Sequence, residues 1–300
     1  MDSVLKTSGL TKMYKNKAVV RDVSINVHKG DIYGFIGRNG AGKTTLIRMV
    51  LGLARPSNGN IELFGSNNLE KSRRKIGAIV ENPAFYPNMT AKQNLEIQAI
   101  LLGVKDRSIV DSLLEKVGLT DTGKKKAKNF SLGMKQRLGI ALSLLGEPEF
   151  LCLDEPINGL DPSGIKEIRD LLKFLNQKFG ITVLISSHIL SELSRLATRY
   201  GIINDGQLID EFSADELEQR CQSSLIIKVE DAIKAAEVIE KEVKVRNYKI
   251  QDKNTIELFE QTEKSGEINK ILARNDITVN SISKSQVDLE EYFLKITEGK

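Results

Sequence analysis

Apolar residues recur along the chain at two spacings, every second residue and every third or fourth, and the switches between them outline alternating strands and helices. Residues 4–14 and 19–27 read as two strands joined by the polar turn Lys15-Asn16-Lys17. Residues 31–36 form an apolar strand candidate, and residues 44–53 carry apolar side chains at helical spacing. Glycines bound a short strand at 59–65, and residues 76–80 read as a buried strand that ends before Glu81-Asn82-Pro83, where the proline breaks the ladder. A mainly helical stretch interrupts the strands. Thr90-Ala91-Lys92-Gln93 is a capping box that starts a helix running towards Leu102, and a second helix follows at about 106–117. Ser131 is a good N-cap for the apolar helix 138–145. Residues 150–153 are four apolar residues leading into Asp154 and Glu155. After the turn Gly159-Leu160-Asp161-Pro162, Ser163 caps a helix to about Phe179, and residues 182–186 form a β-branched strand.

The tail opens on a second capping box, Ser213-Ala214-Asp215-Glu216. Strand 225–229, helix 232–243, strands 249–251 and 255–259 around Asp252-Lys253-Asn254, helix 267–274 and strand 278–282 follow in the order β-α-β-β-α-β, a ferredoxin-like pattern. Residues 288–296 show a helical apolar face of Leu289, Tyr292, Phe293 and Ile296. The expected organisation is therefore an α/β domain over residues 1–212, with a helical subdomain at about 88–145, and a small α+β domain over 213–300.

Composition adds exclusions more than assignments. Lysine and arginine number 44 against 40 acidic residues, and a net charge of +4 is too mild to imply a nucleic-acid partner. The run Lys124-Lys125-Lys126 with Lys128 reads as a solvated loop, and His28 as a solvated strand-end residue. Cys152 and Cys221 match no metal spacing and suggest a reducing cytoplasm. No apolar run approaches the roughly 18 residues of a membrane span, and the start Met1-Asp2-Ser3-Val4 is neither a signal peptide nor a myristoylation site. The chain is expected to be soluble, so any membrane process it serves needs another subunit to supply the spanning helices.

Chemistry concentrates in a few stretches. Gly37-Arg38-Asn39-Gly40-Ala41-Gly42-Lys43-Thr44-Thr45 fits G-x-x-x-x-G-K-[ST] between a strand and a helix, the context of a phosphate-binding loop. Glycines 37, 40 and 42 let several amide N–H groups point at one phosphate, and the following helix adds its positive end. Lys43 then reaches the β and γ phosphates of a nucleotide and Thr44 ligates Mg²⁺. An apolar strand in a parallel sheet delivers its last residues to the same edge, so Asp154 suits Mg²⁺ through water and Glu155 suits polarisation of an attacking water. His188 follows strand 182–186 at that edge and is placed to bond the γ-phosphate. Tyr14 is either an edge-strand aromatic or a stacking surface for a base, and position alone does not decide.

The order of these motifs resembles the ATP-binding subunit of an ATP-binding cassette (ABC) transporter over the first 215 or so residues. Tyr14 matches the family's adenine-stacking aromatic, residues 37–45 its Walker A loop, residues 130–134 its signature, residues 150–155 its Walker B strand, residues 159–161 its D-loop and His188 its switch histidine. The resemblance implies a P-loop NTPase fold with an antiparallel β subdomain and a helical subdomain. It also implies a head-to-tail dimer, of two copies or with a paired ATPase subunit, in which Ser131 and Gly133 of one copy cover the ATP held by the other. Asp161 belongs to the same shared boundary. Closure and hydrolysis then drive a membrane partner between inward and outward states.

Two positions depart from the pattern. The signature usually reads Leu-Ser-Gly-Gly-Gln, whereas this chain has Phe130-Ser131-Leu132-Gly133-Met134. Glu81 stands where most relatives carry the glutamine that senses Mg²⁺ and the γ-phosphate; an ionised glutamate offers acceptors only and adds a charge. Glu81-Asn82-Pro83 followed by residues 85–91 resembles the bacterial branch that expels bacitracin and lantibiotics. The closing stretch 288–296 resembles that of cassette subunits pairing with separate ABC-2-type exporter permeases. The implied setting is the cytoplasmic face of a bacterial membrane. A soluble cassette acting on the ribosome or nucleic acid is the rival class, and relatives of that kind usually carry two cassettes or a long coiled-coil insertion, which this chain lacks.

Overall fold

The computed structural model describes residues 2–220, 224–285 and Tyr292. Two compact units appear, Met1–Ala214 and Asp215–Lys300.

In the first unit, β1 (Ser3–Tyr14) is the central strand of an antiparallel sheet, flanked by β2 (Lys17–Val23), β3 (Asn26–His28) and, later in the chain, β5 (Asn58–Leu63). The single strand anticipated at 19–27 is thus two. Asp22 takes φ +53°, and Thr7 of β1 bridges the break, its Oγ1 donating to the Val23 carbonyl and accepting from Ile25 N–H. A side chain on the neighbouring strand causes the interruption.

The second sheet has six strands. They are β4 (Ile32–Ile36), β6 (Ile76–Ile79), β7 (Phe150–Asp154), β8 (Thr182–Ser187), β9 (Arg199–Asn204) and β10 (Gln207–Ser213), in the order β10-β9-β4-β8-β7-β6. All neighbours are parallel except β9 and β10, which form an antiparallel hairpin. β4, β7 and β8 are buried along their whole length, as expected of central strands covered on both faces.

Helix α1 (Lys43–Val50) packs between the two sheets. Its Leu46, Ile47, Met49 and Val50 share one core with Leu5 and Val20 of the antiparallel sheet and with Phe35 and Phe150 of the parallel one. Each such burial is worth about 1.5–3 kcal/mol, so the helix that follows the glycine loop is firmly held. Between β5 and β7 lie α2 (Leu69–Arg73), α3 (Ala91–Leu101), α4 (Ser108–Lys116) and α5 (Leu132–Leu144). The capping box of α3 forms as anticipated, with Thr90 and Gln93 bonded reciprocally. Helix α5 starts at Leu132, six residues before the apolar run, because Ser131 Oγ accepts from Met134 N–H and caps the helix there. Helices α6 (Pro162–Phe179) and α7 (Leu190–Leu193) complete the unit, and α8 (Ala214–Arg220) begins at its end.

The second unit holds β11 (Ser224–Val229), α9 (Ala232–Val238, continuing as a π-turn to Val243), β12 (Tyr248–Asp252), β13 (Thr255–Leu258), α10 (Ser265–Arg274) and β14 (Val279–Ser285). Its antiparallel sheet runs β12-β13-β11-β14, the strand order of a ferredoxin-like fold, over a core that includes Ile227, Ile256, Ile268 and Leu272. Of the anticipated closing helix at 288–296 only Tyr292 is described, and Cys221 lies outside the described residues.

Candidate active site

The parallel register brings the chemistry together. Ile36 pairs with Ser187 and Asp154 with Ser186, so β4, β7 and β8 end side by side. Gly37 N–H then donates to the Ser187 carbonyl at 3.2 Å, which anchors the start of the glycine loop to that edge.

Along the loop, Gly40 and Gly42 take φ values of +83° and +110°. A Cβ on Gly37 would fall 2.5 Å from the Ile203 carbonyl, and one on Gly42 would fall 2.8 Å from the Val19 carbonyl. Only glycine permits this curl. No side chain caps α1 at Gly42, so the N–H groups of its first turn are directed outward from a positive helix end. Lys43 is 5 % exposed, and its Nζ donates to the carbonyls of Gly37 at 2.5 Å and Arg38 at 3.2 Å. It also stands 3.1 Å from Glu155 Oε1. Arg38, Asn39 and Gly40 are exposed, Ala41 is buried, and Thr45 is half-buried on the first turn of α1.

Asp154 is 1 % exposed, a carboxylate buried at a strand end. Its Oδ2 accepts from Thr44 Oγ1 at 2.7 Å and its Oδ1 from Ser186 Oγ at 2.6 Å. Ser186 Oγ in turn accepts from Glu155 N–H at 3.0 Å. That serine escapes sequence reading, where it appears only as the end of a strand. Its signal is the pairing of two strand ends, which the chain order does not show.

Glu155 takes φ +50°, a left-handed conformation that a non-glycine residue adopts at a cost of about 1–3 kcal/mol. The turn swings its carboxylate back over the edge, where Oε2 lies 2.8 Å from His188 Nδ1. An ionised carboxylate only accepts, so Nδ1 carries the proton of that bond. Oε1 is buried without an aligned hydrogen bond, its nearest partner being the Lys43 ion pair. A strained residue with an under-satisfied buried oxygen is positioned for a polar reactant rather than for stability.

Hard oxygen donors, Thr44 Oγ1 and Asp154 Oδ2, stand together at the loop's end, which fits Mg²⁺. Among the described residues no group of three His, Cys, Asp or Glu side chains could hold a metal. A small octahedral ion that keeps waters and phosphate oxygens as ligands needs no such cage.

The remaining anticipated residues lie around this cluster. Tyr14 ends β1 as a residue 46 % exposed, and Lys12 Nζ sits over its ring, 4.9 Å from the centroid. Glu81 takes φ +60° after β6, and its carboxylate accepts from Arg48 of α1 at 2.8 Å, apart from the Thr44–Asp154 bond. Ser131 and Gly133 open α5, where Ser131 contacts its own first turn. The D-loop lies against them: Leu132 Cδ2 sits 3.3 Å from where a Cβ on Gly159 would be, and Leu160 Cδ2 sits 3.8 Å from the same point on Gly133. Asp161 Oδ2 accepts from Ser163 Oγ at 2.5 Å, and that hydroxyl holds the Asp161 carboxyl below its usual range. Further along α5, a Cβ on Gly139 would meet Pro83 Cβ at 2.6 Å, so the helix that opens on Ser131 also rests on the segment carrying Glu81.

Fold and site together define a nucleotide-binding P-loop protein of the cassette type. The sequence profile of the ABC transporter family matches residues 20–158. The chain belongs to that family, as an ATP-binding subunit. It is 46 % identical over 302 residues to the bacitracin transport ATP-binding protein BcrA of Bacillus licheniformis, covering 100 % of this chain and 99 % of that protein. The lantibiotic transport ATP-binding protein SrtF of Streptococcus pyogenes is 44 % identical over 212 residues, covering 71 % of this chain and 92 % of its own. Among solved structures, a dimeric post-hydrolysis ATP-binding cassette bound to ADP and Pi superposes with a TM-score of 0.63 at 26 % identity, covering 70 % of this chain and 98 % of that one. These relatives do not favour the ribosomal or nucleic-acid alternative. No helix among the described residues is long and apolar enough to cross a membrane.

Proposed function

We propose that this chain hydrolyses ATP to energise export of peptide antibiotics of the bacitracin and lantibiotic kind, through a separate ABC-2-type permease, from the cytoplasmic face of the membrane. The observation that carries the ATPase reading is Glu155, whose carboxylate is held between Lys43 and His188 at the end of β7. Export of peptide antibiotics is carried by the full-length likeness to a bacitracin transport subunit.

The outward N–H groups of residues 37–45 bind the phosphate chain, and Tyr14 stacks on the adenine. Lys43 exchanges its own carbonyl partners for β and γ phosphate oxygens. Thr44 and Asp154 would hold Mg²⁺, which when bound would offset negative charge on the phosphate oxygens. Glu155 accepts a proton from water as that water attacks the γ-phosphorus in line with the departing ADP oxygen. His188 fixes the Glu155 carboxylate through Nδ1 and reaches the γ-phosphate through its other nitrogen. Glu81, once released from Arg48, would sense Mg²⁺ and the γ-phosphate. Ser131, Gly133 and Asp161 face the second copy of a head-to-tail dimer and complete its site.

The decisive variant is Glu155→Gln, which keeps size and loses the base. ATP turnover should fall by about 10²-fold or more while ATP-dependent dimerisation, followed by size-exclusion chromatography, persists. Unchanged turnover would remove Glu155 from the chemistry. In cells, the wild-type gene with its permease should raise tolerance of bacitracin or a lantibiotic and the Glu155→Gln gene should not; equal tolerance would count against this substrate class.

A further inference from the structure

We infer that Arg48 is a positioning residue for Glu81, holding that carboxylate away from the phosphate loop and so setting how much Mg²⁺ the site requires. The inference rests on the reading above that Glu81 senses Mg²⁺.

Thr44 and Arg48 are four residues apart on α1 and therefore share a face of the helix. Thr44, at the start, bonds Asp154; Arg48, one turn on, bonds Glu81. One short helix thus holds one acidic side chain at each end of a half-buried stripe. Glu81 is presented to Arg48 by the backbone. Asn82 N–H donates to the Val80 carbonyl at 2.8 Å, closing a three-residue turn with Glu81 at its apex at φ +60°. β6 fixes the turn on one side, and Pro83 against Gly139 fixes it on the other. With the backbone pinned, the remaining freedom is the Glu81 side chain, and Arg48 Nη2 takes its Oε1 at 2.8 Å.

A glutamine in the same place could accept the same bond but would bring no net charge to it. The carboxylate makes the contact an ion pair, and a cation at the phosphate loop that draws on Glu81 must weaken the attraction of that carboxylate to Arg48. Side chains of Arg48 and Glu81 are 39 % and 58 % exposed, so the pair is of the solvent-screened kind. Screening sets the expected effect at about 1.5- to 5-fold and makes it fall with salt.

The test titrates Mg²⁺ against binding of a non-hydrolysable fluorescent ATP analogue to the full chain, for wild type, Arg48→Gln, Glu81→Gln and the double variant, at low and high salt. Arg48→Gln should lower the half-saturating Mg²⁺ concentration about 1.5- to 5-fold at low salt, and less at high salt. In the Glu81→Gln background the same change should have no effect. An equal shift in both backgrounds would show that Arg48 acts elsewhere and overturn the inference. No shift in Arg48→Gln, with a raised requirement in Glu81→Gln, would overturn it while leaving the sensing role of Glu81 intact. No change in any variant would remove both. Should Arg48→Gln fail to fold, Arg48→Lys carries the same test, because losing the planar fork loosens the pair and should give a smaller shift of the same sign.

Discussion

Ser186→Ala removes one oxygen that serves two backbone or charged partners at once, and its cost follows from the geometry. Ser186 is wholly buried. Its hydroxyl donates to the ionisable Asp154 Oδ1 at 2.6 Å, a bond to a charged group worth about 1.5–3 kcal/mol, and accepts from Glu155 N–H, whose loss leaves a donor costing about 1–3 kcal/mol. Asp154 keeps Thr44 as a second donor, so relaxation should recover part of this, leaving a destabilisation of about 2–4 kcal/mol. For a unit the size of Met1–Ala214, each kcal/mol moves the midpoint by about 2–4 °C, which places the drop at roughly 5–15 °C. Calorimetry of the full chain, resolving the transition of this unit, reads it directly. Ser187→Ala is the control, since that hydroxyl bonds the neutral Ile189 backbone, accepting from its N–H at 2.9 Å and donating to its carbonyl at 3.5 Å, and its loss should cost about 1–2 kcal/mol. The Ser186 variant should also lose turnover more than nucleotide affinity, because Glu155 loses the anchor of its left-handed turn. A midpoint no lower than that of Ser187→Ala would refute the reasoning.

Two further outcomes follow from burial and exposure. Cys152 lies in the middle of β7, wholly buried, and burial pushes its thiol pKa well above the usual value, so it should resist a thiol reagent at neutral pH until the chain is unfolded in urea; rapid native labelling mapped to Cys152 would contradict this. Tyr14→Ala should weaken ATP binding in calorimetry by about 1–3 kcal/mol, the worth of one base-aromatic stack, and Tyr14→Phe should keep it; unchanged affinity in the alanine variant would make Tyr14 an edge-strand aromatic only.

What the sequence discloses is what short spacings control. The loop at 37–45 is legible because three glycines, a lysine and a threonine act within one turn of backbone and the adjoining strand and helix are strongly patterned. Asp154, Glu155 and His188 are legible because each follows an apolar run, 150–153 or 183–185, that reads as a central strand. Contacts between distant strands are not. Ser186 and Arg48 find their partners 32 and 33 residues away, by sheet register and by the angle of α1, and neither is encoded in local composition. The hairpin of β9 and β10 went unread although Asp205-Gly206, with φ of +45° and +81°, is a strong turn signal, because its strands are mixed in polarity. The early start of α5 illustrates a different limit. Its cap at Ser131 is visible, but Gly133 and the polar run Lys135-Gln136-Arg137 interrupt the pattern, so periodicity alone begins only at Leu138.

The leucines and glycines of the signature and the D-loop pack against one another, tightly at Gly159 and loosely at Gly133. Leu132 occupies the space a side chain at 159 would need, and Leu160 lies over 133. Gly159 is doubly constrained, by its φ of +75° and by its neighbour's methyl group. The leucine that replaces the usual glycine in this signature is therefore coupled to Gly159, whereas Leu160 meets Gly133 in ordinary van der Waals contact. A chimaera that imports a standard signature and keeps this D-loop would inherit a gap under Gly159, and one that imports a bulkier D-loop would collide with Leu132.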